Sequence, residues 1–469
     1  MNKGEKAVIL AGGQGKRMKS ELPKALLSVL EKPMLRWVTD ACEAAGLSNL
    51  CVVKGFGAEK IDDYLDGRYQ TVLQAERLGT GHAVMQTADF LREGGASDTL
   101  LLNGDAPFID AETILGALAQ HRAGGYSVTV VTSEVNNPHG YGRILRDGDF
   151  VTGIVEETDC TQEQRAIREI NSGCYWFDTE ALLEALDKLT PANAQGEYYL
   201  TDCLGLIIGA GLRAGAFLSP NPDVVLGAND RRGLLELNDI ARRRVIDKHL
   251  DNGVEFTCTE GVVISPAVKI GAGTRILSGV VLRGTTLIGE NCVIGPNCVI
   301  KDALVGARTV LNNVQAEECE ICADVKMGPF VNIRPGSVIK SFAKIGDFVE
   351  IKNSTVGEGT AVSHLTYIGD SDVGENVNFG CGVVTVNYDG EQKFRTAIGN
   401  NAFIGCNTNL IAPVKIGNGA YTAAGSTVTG EIPDNALVIE RGKQVVKEGY
   451  AARKLRTRTE KYEKTKSQE

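Results

Sequence analysis

The chain has 469 residues, of which 43% are hydrophobic and 23% charged, and its formal net charge is −10. This length predicts two or three domains, because one hydrophobic core rarely grows so large. The acidic balance argues against broad nucleic-acid binding, and no apolar stretch is long enough for a membrane span. The apolar run Ala7–Leu10 is too short for a signal-peptide core, so the sequence predicts a cytoplasmic protein.

Twelve cysteines are scattered along the chain, and Cys319 and Cys322 form a CxxC pair. A structural zinc site would need a second pair at similar spacing, which the sequence lacks. Cys292 and Cys298 are six positions apart and are predicted to be small apolar core residues. In a reducing compartment we expect all twelve to be free thiols.

The first half of the chain alternates short apolar strands with helical patterns. The predicted strands are Lys6–Leu10, Leu50–Val53, Thr99–Leu102, Val128–Thr132 and Val151–Val155. Helical periodicity lies between several of them, for example at Met34–Ala45 and Ala111–Gln120. This alternation predicts a mostly parallel sheet with helices on both faces. Such sheets bind ligands at the carboxyl ends of their strands, so functional residues are expected just after each apolar run.

A glycine-rich loop, 12–15, follows the first predicted strand. It fits neither the P-loop nor the dinucleotide-binding pattern, and alone it favours a tight turn. With Arg17 and Lys24 close behind, backbone N–H groups at a helix start could hold a triphosphate. Asp105 ends the buried strand near 100 and is well placed to bind Mg²⁺, although a lone aspartate there more often caps a turn.

One long helix is predicted over residues 230–252, where Leu234, Leu237 and Ile240 recur at helical spacing and Asp230 is a candidate N-cap. The predicted domains are therefore 1–229, the linker helix 230–252, and 253–469. The last of these ends in a basic tail after Arg441.

Aliphatic residues recur every six positions through most of the second half. The first series is Ile264, Ile270, Ile276, Leu282, Ile288, Ile294 and Ile300. The second is Ile321, Met327, Ile333, Ile339, Ile345 and Ile351, and the third is Ile398, Ile404, Leu410, Ile416, Thr422 and Val428. A period of six is typical of hexapeptide parallel β-helices, in which small residues permit the corners and stacked coils bury an aliphatic column. The predicted β-helix runs from about Val254 to Val438, and an insertion at 386–396 breaks the count and often marks function in such folds.

A second group of polar residues surrounds His364, within the predicted β-helix. A lone histidine is more often structural. Arg334, Lys352, Tyr367 and Asn378 are spaced roughly one coil apart, which predicts a polar row along one edge of the prism. Cations in a row on an acidic protein favour an anionic ligand, for which a sugar phosphate is a reasonable candidate.

Eight segments, in this order and spacing, carry a specific family resemblance. They are Leu10–Met18, Leu22–Lys24, Gln74–His82, Gly104–Asp105, Gly140–Arg143, Gly153–Glu156, Glu169–Gly173 and Gln195–Asp202. The chain resembles the bifunctional bacterial N-acetylglucosamine-1-phosphate uridyltransferase / glucosamine-1-phosphate N-acetyltransferase family, and the likeness covers nearly the whole chain. It implies a Rossmann-like nucleotidyltransferase domain with a mixed, mostly parallel sheet, then a linker helix and a left-handed parallel β-helix.

The resemblance implies that the first domain makes UDP-N-acetylglucosamine and diphosphate from UTP and N-acetylglucosamine 1-phosphate. The residues it places around these substrates are Leu10, Ala11, Gly12, Gly13, Gln74, Gly79, Thr80, Asn103, Gly104, Gly142, Glu156 and Asn171. Arg17 and Lys24 would neutralise phosphates in catalysis, and Asp105 with Asn229 would bind Mg²⁺. Asn103 stands where the family often has another residue, which matters little if the contact there is made by the backbone.

The resemblance places an acetyltransferase site in the second domain. Glucosamine 1-phosphate would be held by Arg334, Lys352, Tyr367, Asn378 and Lys393, and acetyl-CoA by Cys381, Asn387, Tyr388, Cys406, Ala424 and Arg441. His364 would be the general base for the acceptor amine, since imidazole exchanges protons near neutral pH. Cys381 and Cys406 replace the alanine and serine of some family members, and we expect coenzyme binding to survive this change.

The resemblance also implies a homotrimer formed through the β-helix, with active sites shared between chains. Two other hypotheses remain open at this stage. One is a single-site nucleotidyltransferase that uses the β-helix only to assemble, which the row around His364 disfavours. The other is a non-catalytic assembly subunit, which the joint presence of Arg17, Lys24, Asp105 and Asn229 disfavours.

Overall fold

The computed structural model describes residues 4–95, 97–191 and 196–467, which fall into two compact units divided between Asp247 and Lys248. Gln195, in one of the family segments, lies outside the described residues. Across the part of the chain that is described, no helix has both the length and the apolar character needed to cross a membrane.

The first unit contains eleven strands and eight α-helices among its described residues. The strands are β1 Lys6–Leu10, β2 Ser28–Val29, β3 Lys32–Pro33, β4 Leu50–Lys54, β5 Gln70–Leu73, β6 Asp98–Asn103, β7 Val128–Glu134, β8 Arg143–Asp147, β9 Phe150–Val155, β10 Glu169–Asp178 and β11 Ala214–Leu218. The helices are α1 Met34–Ala44, α2 Ala58–Leu65, α3 Thr80–Met85, α4 Ala88–Arg92, α5 Ala111–Gly124, α6 Thr179–Lys188, α7 Leu200–Gly209 and α8 Arg231–Asp251. Single turns of 3-10 helix lie at Lys16–Met18, Lys24–Leu26, Glu157–Asp159, Gln164–Ala166 and Pro222–Val225.

The main sheet has the order β11-β7-β10-β6-β1-β4-β5. Strands β1, β4, β5 and β6 run parallel, β11 is parallel to β7, and β10 runs antiparallel between β6 and β7. Ala7 and Ile9 of β1 enter one core and Val8 enters the other, because successive side chains of a strand point to opposite faces. The predicted mixed, mostly parallel sheet with helices on both faces is confirmed.

Two details of this sheet differ from the expectation. The predicted strand at Val151–Val155 exists, but β9 pairs antiparallel with β8 in a hairpin beside the main sheet. The long central strand β10 was not predicted, because its first half is polar and its register shifts between Asn171 and Cys174.

Helix α8 confirms the predicted linker helix to within one residue at each end. The carboxylate of Asp230 accepts hydrogen bonds from the backbone N–H groups of Arg232 and Gly233, both at 3.0 Å, so Asp230 caps the helix as predicted. The division between the two units falls inside this helix.

The second unit is a parallel β-helix with three faces. The strands of the first face are Glu255–Phe256, Arg275–Ile276, Val293–Ile294, Val310–Leu311, Lys326–Met327, Lys344–Asp347, Ala361–His364, Asn378–Phe379, Phe403–Ile404, Tyr421–Thr422 and Leu437–Val438. Those of the second face are Val263–Ile264, Val281–Arg283, Val299–Lys301, Val314–Glu317, Val331–Ile333, Glu350–Lys352, Tyr367–Gly369, Val384–Val386, Asn409–Ile411 and Thr427–Val428. Those of the third face are Lys269–Ile270, Leu287–Ile288, Leu304–Val305, Glu320–Ile321, Val338–Ile339, Thr355–Val356, Ser371–Val373, Thr396–Ile398 and Val414–Ile416.

The six-residue series forms the buried columns of this prism. Ile264 pairs with Leu282, which pairs with Ile300, and all three are buried. Several corners differ from the expectation of small residues; for example, Phe330, Phe342, Phe348 and Leu365 adopt positive φ values of 58°, 62°, 57° and 47°. The insertion is a loop closed by an antiparallel bridge between Tyr388 and Lys393. The basic tail forms a last helix, α9 Tyr450–Lys466, whose side chains are all exposed.

Candidate active sites

The first candidate site is a cleft at the carboxyl ends of β1 and β6. Two adjoining cavities, of about 390 and 320 Å³, share Leu10, Thr80 and Asn103 as lining residues. Leu10 ends β1 and Asn103 ends β6, and the N–H of Gly104 donates to the carbonyl of Leu10 at 2.9 Å. The cleft therefore lies where a sheet of this topology is expected to bind a ligand.

The smaller cavity holds most of the residues predicted to bind the nucleotide. It is lined by Leu10, Ala11, Gly12, Gly13, Lys24, Ala25, Gln74, Arg77, Gly79, Thr80, Ala83, Asn103, Asp105 and Glu197. The buried side chain of Gln74 fixes one wall, because its Nε2 donates to the carbonyl of Gly79 at 3.0 Å. Gly79 has φ +111°, and a Cβ there would lie 2.5 Å from the carbonyl oxygen of Tyr198, so only glycine fits this crossing.

Lys24 lies between the two predicted metal ligands. Its Nζ is 2.5 Å from the Asp105 carboxylate and 3.0 Å from Oδ1 of Asn229. Two hard oxygen donors thus converge on one position that holds a positive charge. Among the described residues, no group of three or more His, Cys, Asp or Glu side chains could hold a metal ion. A two-oxygen site nevertheless fits Mg²⁺, which usually keeps several waters and shares few protein ligands.

Arg17 does not line either cavity. It lies on the 3-10 turn Lys16–Met18, close enough to Asp230 to affect that carboxyl electrostatically. The pKa of Asp230 is lowered mainly by the hydrogen bond from the Gly233 N–H, with smaller contributions from Arg17 and Arg232. Arg17 therefore lies near Asp230, at the start of α8.

The larger cavity contains Glu156 and Asn171, two of the three residues predicted to bind the sugar, while Gly142 lies behind its lining. It is lined by Leu10, Thr80, Asn103, Gly140, Glu156, Glu157, Thr158, Asn171, Gly173, Tyr175, Tyr199, Leu200 and Thr201. The backbone N–H of Asn171 donates to the carbonyl of Gly142 at 2.9 Å, and the side chain of Asn171 donates to Tyr175 Oη at 2.6 Å. Burial raises the pKa of Glu156, and Asp159 and Asp202 raise it further.

Arg143 lies behind the lining of this cavity, where it holds Glu157 in place. It was not predicted as a functional residue. Its side chain is 2% exposed and pairs with the carboxylate of Glu157 at 2.6 Å, while also donating to the carbonyl of Tyr141. The same carboxylate accepts the N–H of Gly140 at 3.1 Å. Arg143 thus ties together the two chain segments that flank Glu156. The available signal was its place in the family segment Gly140–Arg143.

The second candidate site begins with a column of residues at the corner between the first and second faces of the β-helix. The histidine column consists of Asp347, His364, Cys381, Cys406 and Ala424. Backbone hydrogen bonds connect each member to the next coil. The N–H groups of Leu365, Gly382, Asn407 and Gly425 donate to the carbonyls of Asp347, His364, Cys381 and Cys406 at 2.9, 3.3, 2.7 and 2.8 Å, respectively. The side chain of Arg441 lies next to Gly425, at the end of this column. Its Cδ would be 3.9 Å from a Cβ built on that glycine. His364 and four residues predicted for acetyl-CoA therefore share one edge of the prism.

A cation cluster, formed by Arg334, Lys352 and Lys393, lies at the other end of the second face. Arg334 and Lys352 are one coil apart, since the Arg334 N–H donates to the carbonyl of Ile351 at 2.8 Å. The proximity of Lys393 lowers the pKa of Lys352, and Arg334 lowers it further. Three neighbouring positive charges form a site that favours an anion. Arg334 is partly balanced by Glu350 at 2.9 Å.

Asp370 supports the cation cluster and was not predicted. Burial raises the pKa of Asp370, but hydrogen bonds from Asn353 and Asn387 outweigh this, and Lys393 and Lys352 add to the lowering. Asn387 is buried by its contact with Asp370, so it anchors the inserted loop, whereas Tyr388 next to it is exposed. The nearby Tyr367 lies over Gly369, where a Cβ would come within 2.4 Å of its hydroxyl oxygen.

The predicted row of four polar residues along one edge is wrong for Tyr367 and Asn378, since Tyr367 pairs with Glu350 at the start of the second face and not with Lys352 at its end. Arg334 and Lys352 align on the second face, but Asn378 begins a strand of the first face and pairs with Ala361. The physical reason is the coil length. The residue one coil after Lys352 is Gly369, seventeen positions later, and Asn378 lies about half a coil beyond Gly369, on another face.

His364 and Lys352 stand at opposite ends of the second face. The residue that pairs with Lys352 is Gly369, five positions after His364. The chain turns a corner between them at Leu365, whose φ is +47°, so His364 ends a strand of the first face and Lys352 ends a strand of the second face one coil earlier. Within the described residues the His364 side chain makes no hydrogen bond or ion pair that joins it to the cation cluster.

Comparisons with known proteins agree with this architecture. A family model described as a MobA-like NTP transferase domain matches residues 7–170, and one described as bacterial transferase hexapeptide (six repeats) matches 267–302 and 395–430. The chain is 48% identical to the bifunctional protein GlmU of Geobacillus sp. strain WCH70, over 95% of this chain and 97% of the relative. It is 46% identical to that of Clostridium acetobutylicum, over 96% and 98%, and 48% identical to that of Geobacillus thermodenitrificans, over 95% and 97%.

Proposed function

This chain belongs to the bifunctional GlmU family, and we propose that its two candidate sites divide the two reactions of that family between them. The protein is a bifunctional uridylyltransferase and N-acetyltransferase of UDP-N-acetylglucosamine synthesis, which feeds peptidoglycan and cell-envelope precursors. The substrates are glucosamine 1-phosphate, acetyl-CoA and UTP. The observation that carries the assignment is that one chain holds two chemically distinct sites, a phosphate-binding cleft and a histidine column.

In the uridylyl transfer, a phosphate oxygen of N-acetylglucosamine 1-phosphate attacks the α-phosphorus of UTP, and diphosphate leaves. Lys24 neutralises charge on the phosphates, and Arg17 is assigned to the outgoing diphosphate. Leu10 to Gly13, Gln74, Gly79 and Thr80 hold the nucleotide, while Gly142, Glu156 and Asn171 hold the sugar. Such transfers depend mainly on alignment and charge neutralisation, which a preformed cleft provides.

Asp105 and Asn229 are the residues that we assign to Mg²⁺. Their convergence on Lys24 Nζ supports this, because two oxygens arranged around one cation suit another. The metal would offset the negative charge of the triphosphate. When UTP binds, Lys24 is expected to exchange these two partners for the phosphates.

In the acetyl transfer, the amine of glucosamine 1-phosphate attacks the thioester carbon of acetyl-CoA. His364 removes the amine proton, a C–N bond forms, the C–S bond breaks, and coenzyme A leaves as its thiol. Arg334, Lys352 and Lys393 hold the phosphate, with Tyr367 and Asn378 on the sugar. Cys381, Cys406, Ala424 and Arg441 follow His364 along the column and line the path of the coenzyme, together with Asn387 and Tyr388 of the loop.

A homotrimer is the assembly that we propose. Next to the histidine column stand three exposed apolar corner residues, Phe330, Phe348 and Leu365, which are 57%, 59% and 60% exposed. The two phenylalanine rings stack with centroids 5.2 Å apart. Bulky residues at left-handed corners are strained and gain nothing in water, so a second copy of the chain is the natural cover for them. Docking there would bring a neighbouring chain beside His364.

The open columns of the second unit allow a shared site, in which the cation cluster of one chain serves the histidine of a neighbouring chain, as the family resemblance implies. Mixed trimers test this. Chains carrying His364→Ala and chains carrying Lys352→Ala are each expected to be nearly inactive in acetyl transfer. When they are unfolded together and reassembled, about a quarter of the sites would regain both residues.

A site contained within one chain would give no such recovery, because every chain carries one defect. Reassembly of each variant alone controls for refolding losses. Uridylyl transfer in the same samples reports the amount of active first unit.

All twelve cysteines are free thiols in the described structure, which supports the cytoplasm as the location that we propose.

A further inference from the structure

Cys381 and Cys406 occupy neighbouring places in the histidine column. The N–H of Asn407 donates to the carbonyl of Cys381 at 2.7 Å, so the two cysteines stand side by side on adjacent coils. Adjacent strands lie about 4.8 Å apart. This spacing falls within the range of roughly 4.4–6.8 Å that Cα atoms joined by a disulfide adopt.

The Cys406 thiol faces the coil that carries Cys381. A Cβ placed on Gly380 would lie 2.9 Å from Sγ of Cys406, so the sulfur rests over the glycine that precedes Cys381. Cys406 is exposed and Cys381 is half-buried. Of the other ten cysteines, eight are buried, and only Cys258 and Cys322 are partly accessible. Among the residues that the structure describes, this pair is therefore the one place where two accessible thiols adjoin.

The sulfur of the coenzyme must come close to this pair if the proposed acetyl transfer takes place. His364 is the next member of the column before Cys381. A thioester whose carbonyl is attacked beside His364 has its sulfur about one to two coils, or roughly 5–10 Å, from the two thiols. This step rests on the proposed function.

We propose that Cys406 and Cys381 form a dithiol site that reacts with the disulfides of low-molecular-weight thiols, and with coenzyme A disulfide best. The Cys406 thiolate attacks one sulfur of the disulfide, forming a mixed disulfide and releasing one molecule of the small thiol. The Cys381 thiolate then attacks Cys406 Sγ, which forms the Cys381–Cys406 disulfide and releases the second. The protons of both cysteines leave with the two released thiols, so one disulfide is reduced as the pair is oxidised.

Either product would block acetyl transfer. The mixed disulfide fills the path of the coenzyme, and the internal disulfide replaces the two thiols that line this path with a rigid cross-link. The cleft of the first unit contains no member of the pair, so uridylyl transfer would continue. An excess of free thiol would reverse both steps.

The test is to incubate the reduced full-length enzyme with coenzyme A disulfide and to follow intact mass, peptide mass and both activities. We expect loss of acetyl transfer with unchanged uridylyl transfer, a transient coenzyme A adduct, and then a species lighter than the reduced protein by two hydrogens. Cys381→Ala should accumulate the adduct on Cys406. Cys406→Ser should react at least roughly tenfold more slowly. Cys322→Ser, which removes an accessible thiol elsewhere, should react like the unchanged enzyme.

Two further arms identify the source of the disulfide. Acetyl-CoA should slow the reaction, and oxidised glutathione should react more slowly than coenzyme A disulfide. Equal rates for both disulfides without protection by acetyl-CoA would overturn the coenzyme-directed site. Modification of Cys258 or Cys322 as fast as Cys406 would overturn the dithiol site itself. If the reduced enzyme lacked acetyltransferase activity from the start, the proposed function would fail instead, and the mass data would still decide the thiol chemistry.

Discussion

The two units of this enzyme gather their functional side chains in different ways. In the first unit, Lys24, Asp105 and Asn229 are far apart in sequence yet lie within 3.0 Å of a common point. In the β-helix, side-chain neighbours are separated by one coil, and His364 and Lys352 remain at opposite ends of one face. The first unit gathers its site residues in a cleft, whereas the second presents parallel columns on its surface.

The difference follows from the topology of each sheet. The carboxyl ends of several strands meet at one edge of the α/β sheet, so the loops that follow them can enclose a ligand. A β-helix repeats one coil along an axis, so it brings together only residues at corresponding positions. Enclosure then has to come from an insertion, such as the loop that carries Lys393, or from another chain. We therefore expect changes in the first unit to act within one chain, and changes in the second to depend on assembly.

The largest effect is expected from Asp105→Ala. Removing this carboxylate takes away the proposed metal ligand and the partner of Lys24, and the loss of one such electrostatic contribution typically lowers turnover by roughly a thousandfold. Magnesium-dependent diphosphate release from UTP measures the effect, and acetyl transfer should be unchanged. Asp63→Ala, which removes an exposed carboxylate on α2, is the matched control. Equal losses in both reactions would mean that the two sites are not independent.

The next largest effect is expected from His364→Ala. A positioned general base contributes roughly a hundred- to ten-thousandfold to the rate. Acetylation of glucosamine 1-phosphate should fall by about this factor, while uridylyl transfer from supplied N-acetylglucosamine 1-phosphate stays constant. His364→Asn separates base catalysis from side-chain packing, since it retains a polar side chain without the basic nitrogen. Unchanged acetyl transfer in both variants would remove His364 from the mechanism.

Much of the fold was predictable from local patterns in the sequence. Strands β1, β4, β6 and β7 each contain a short run of apolar or β-branched residues, and the six-residue period of the β-helix needs no long-range information. Strand β10 escaped prediction because Asn171, Ser172 and Gly173 interrupt its apolar pattern at the bulge. A strand of this kind is stabilised by its two neighbours, which the local sequence does not reveal.

The site was predictable to the extent that family segments fix single positions. The cleft brings together Leu10, Gln74 and Asp105 as those segments imply. The support given by Arg143 and Asp370 was not predictable, because it depends on which segment packs beneath each loop. The misplacement of Asn378 has a similar cause: equal spacing in sequence places residues on one edge only when it matches the coil length.

A smaller effect is expected from Lys352→Ala. This change should lower the affinity for glucosamine 1-phosphate roughly ten- to a hundredfold and leave the KM for acetyl-CoA unchanged. Lys326→Ala, an exposed lysine on the first face, is the control. Similar losses for both substrates would place Lys352 elsewhere in the mechanism.

The depressed pKa of Lys352 gives this site a distinct pH dependence. Lysine loses its charge above its pKa. The affinity for the sugar phosphate should therefore begin to fall at a lower pH than it would if Lys352 had the pKa of an ordinary lysine. Because Lys393 is the main cause of the lowered pKa, Lys393→Ala should move this decline to higher pH while weakening binding overall. Titration of glucosamine 1-phosphate affinity against pH in both proteins measures the shift. A decline at the same pH in the variant would contradict the coupling between the two lysines.

The smallest effect, and the sharpest test of how the first unit closes its site, is expected from Arg143→Lys. The guanidinium bridges Glu157 and the Tyr141 carbonyl, and a lysine keeps the charge but cannot make both contacts in the same geometry. We expect the KM for N-acetylglucosamine 1-phosphate to rise about three- to tenfold, with little change in kcat or in the KM for UTP. Arg146→Lys is the matched control, because Arg146 lies on the same strand and pairs with Glu169 on its more exposed side. An equal rise in that control, or a loss of thermal stability without any change in KM, would show that Arg143 holds the fold and not the sugar cavity.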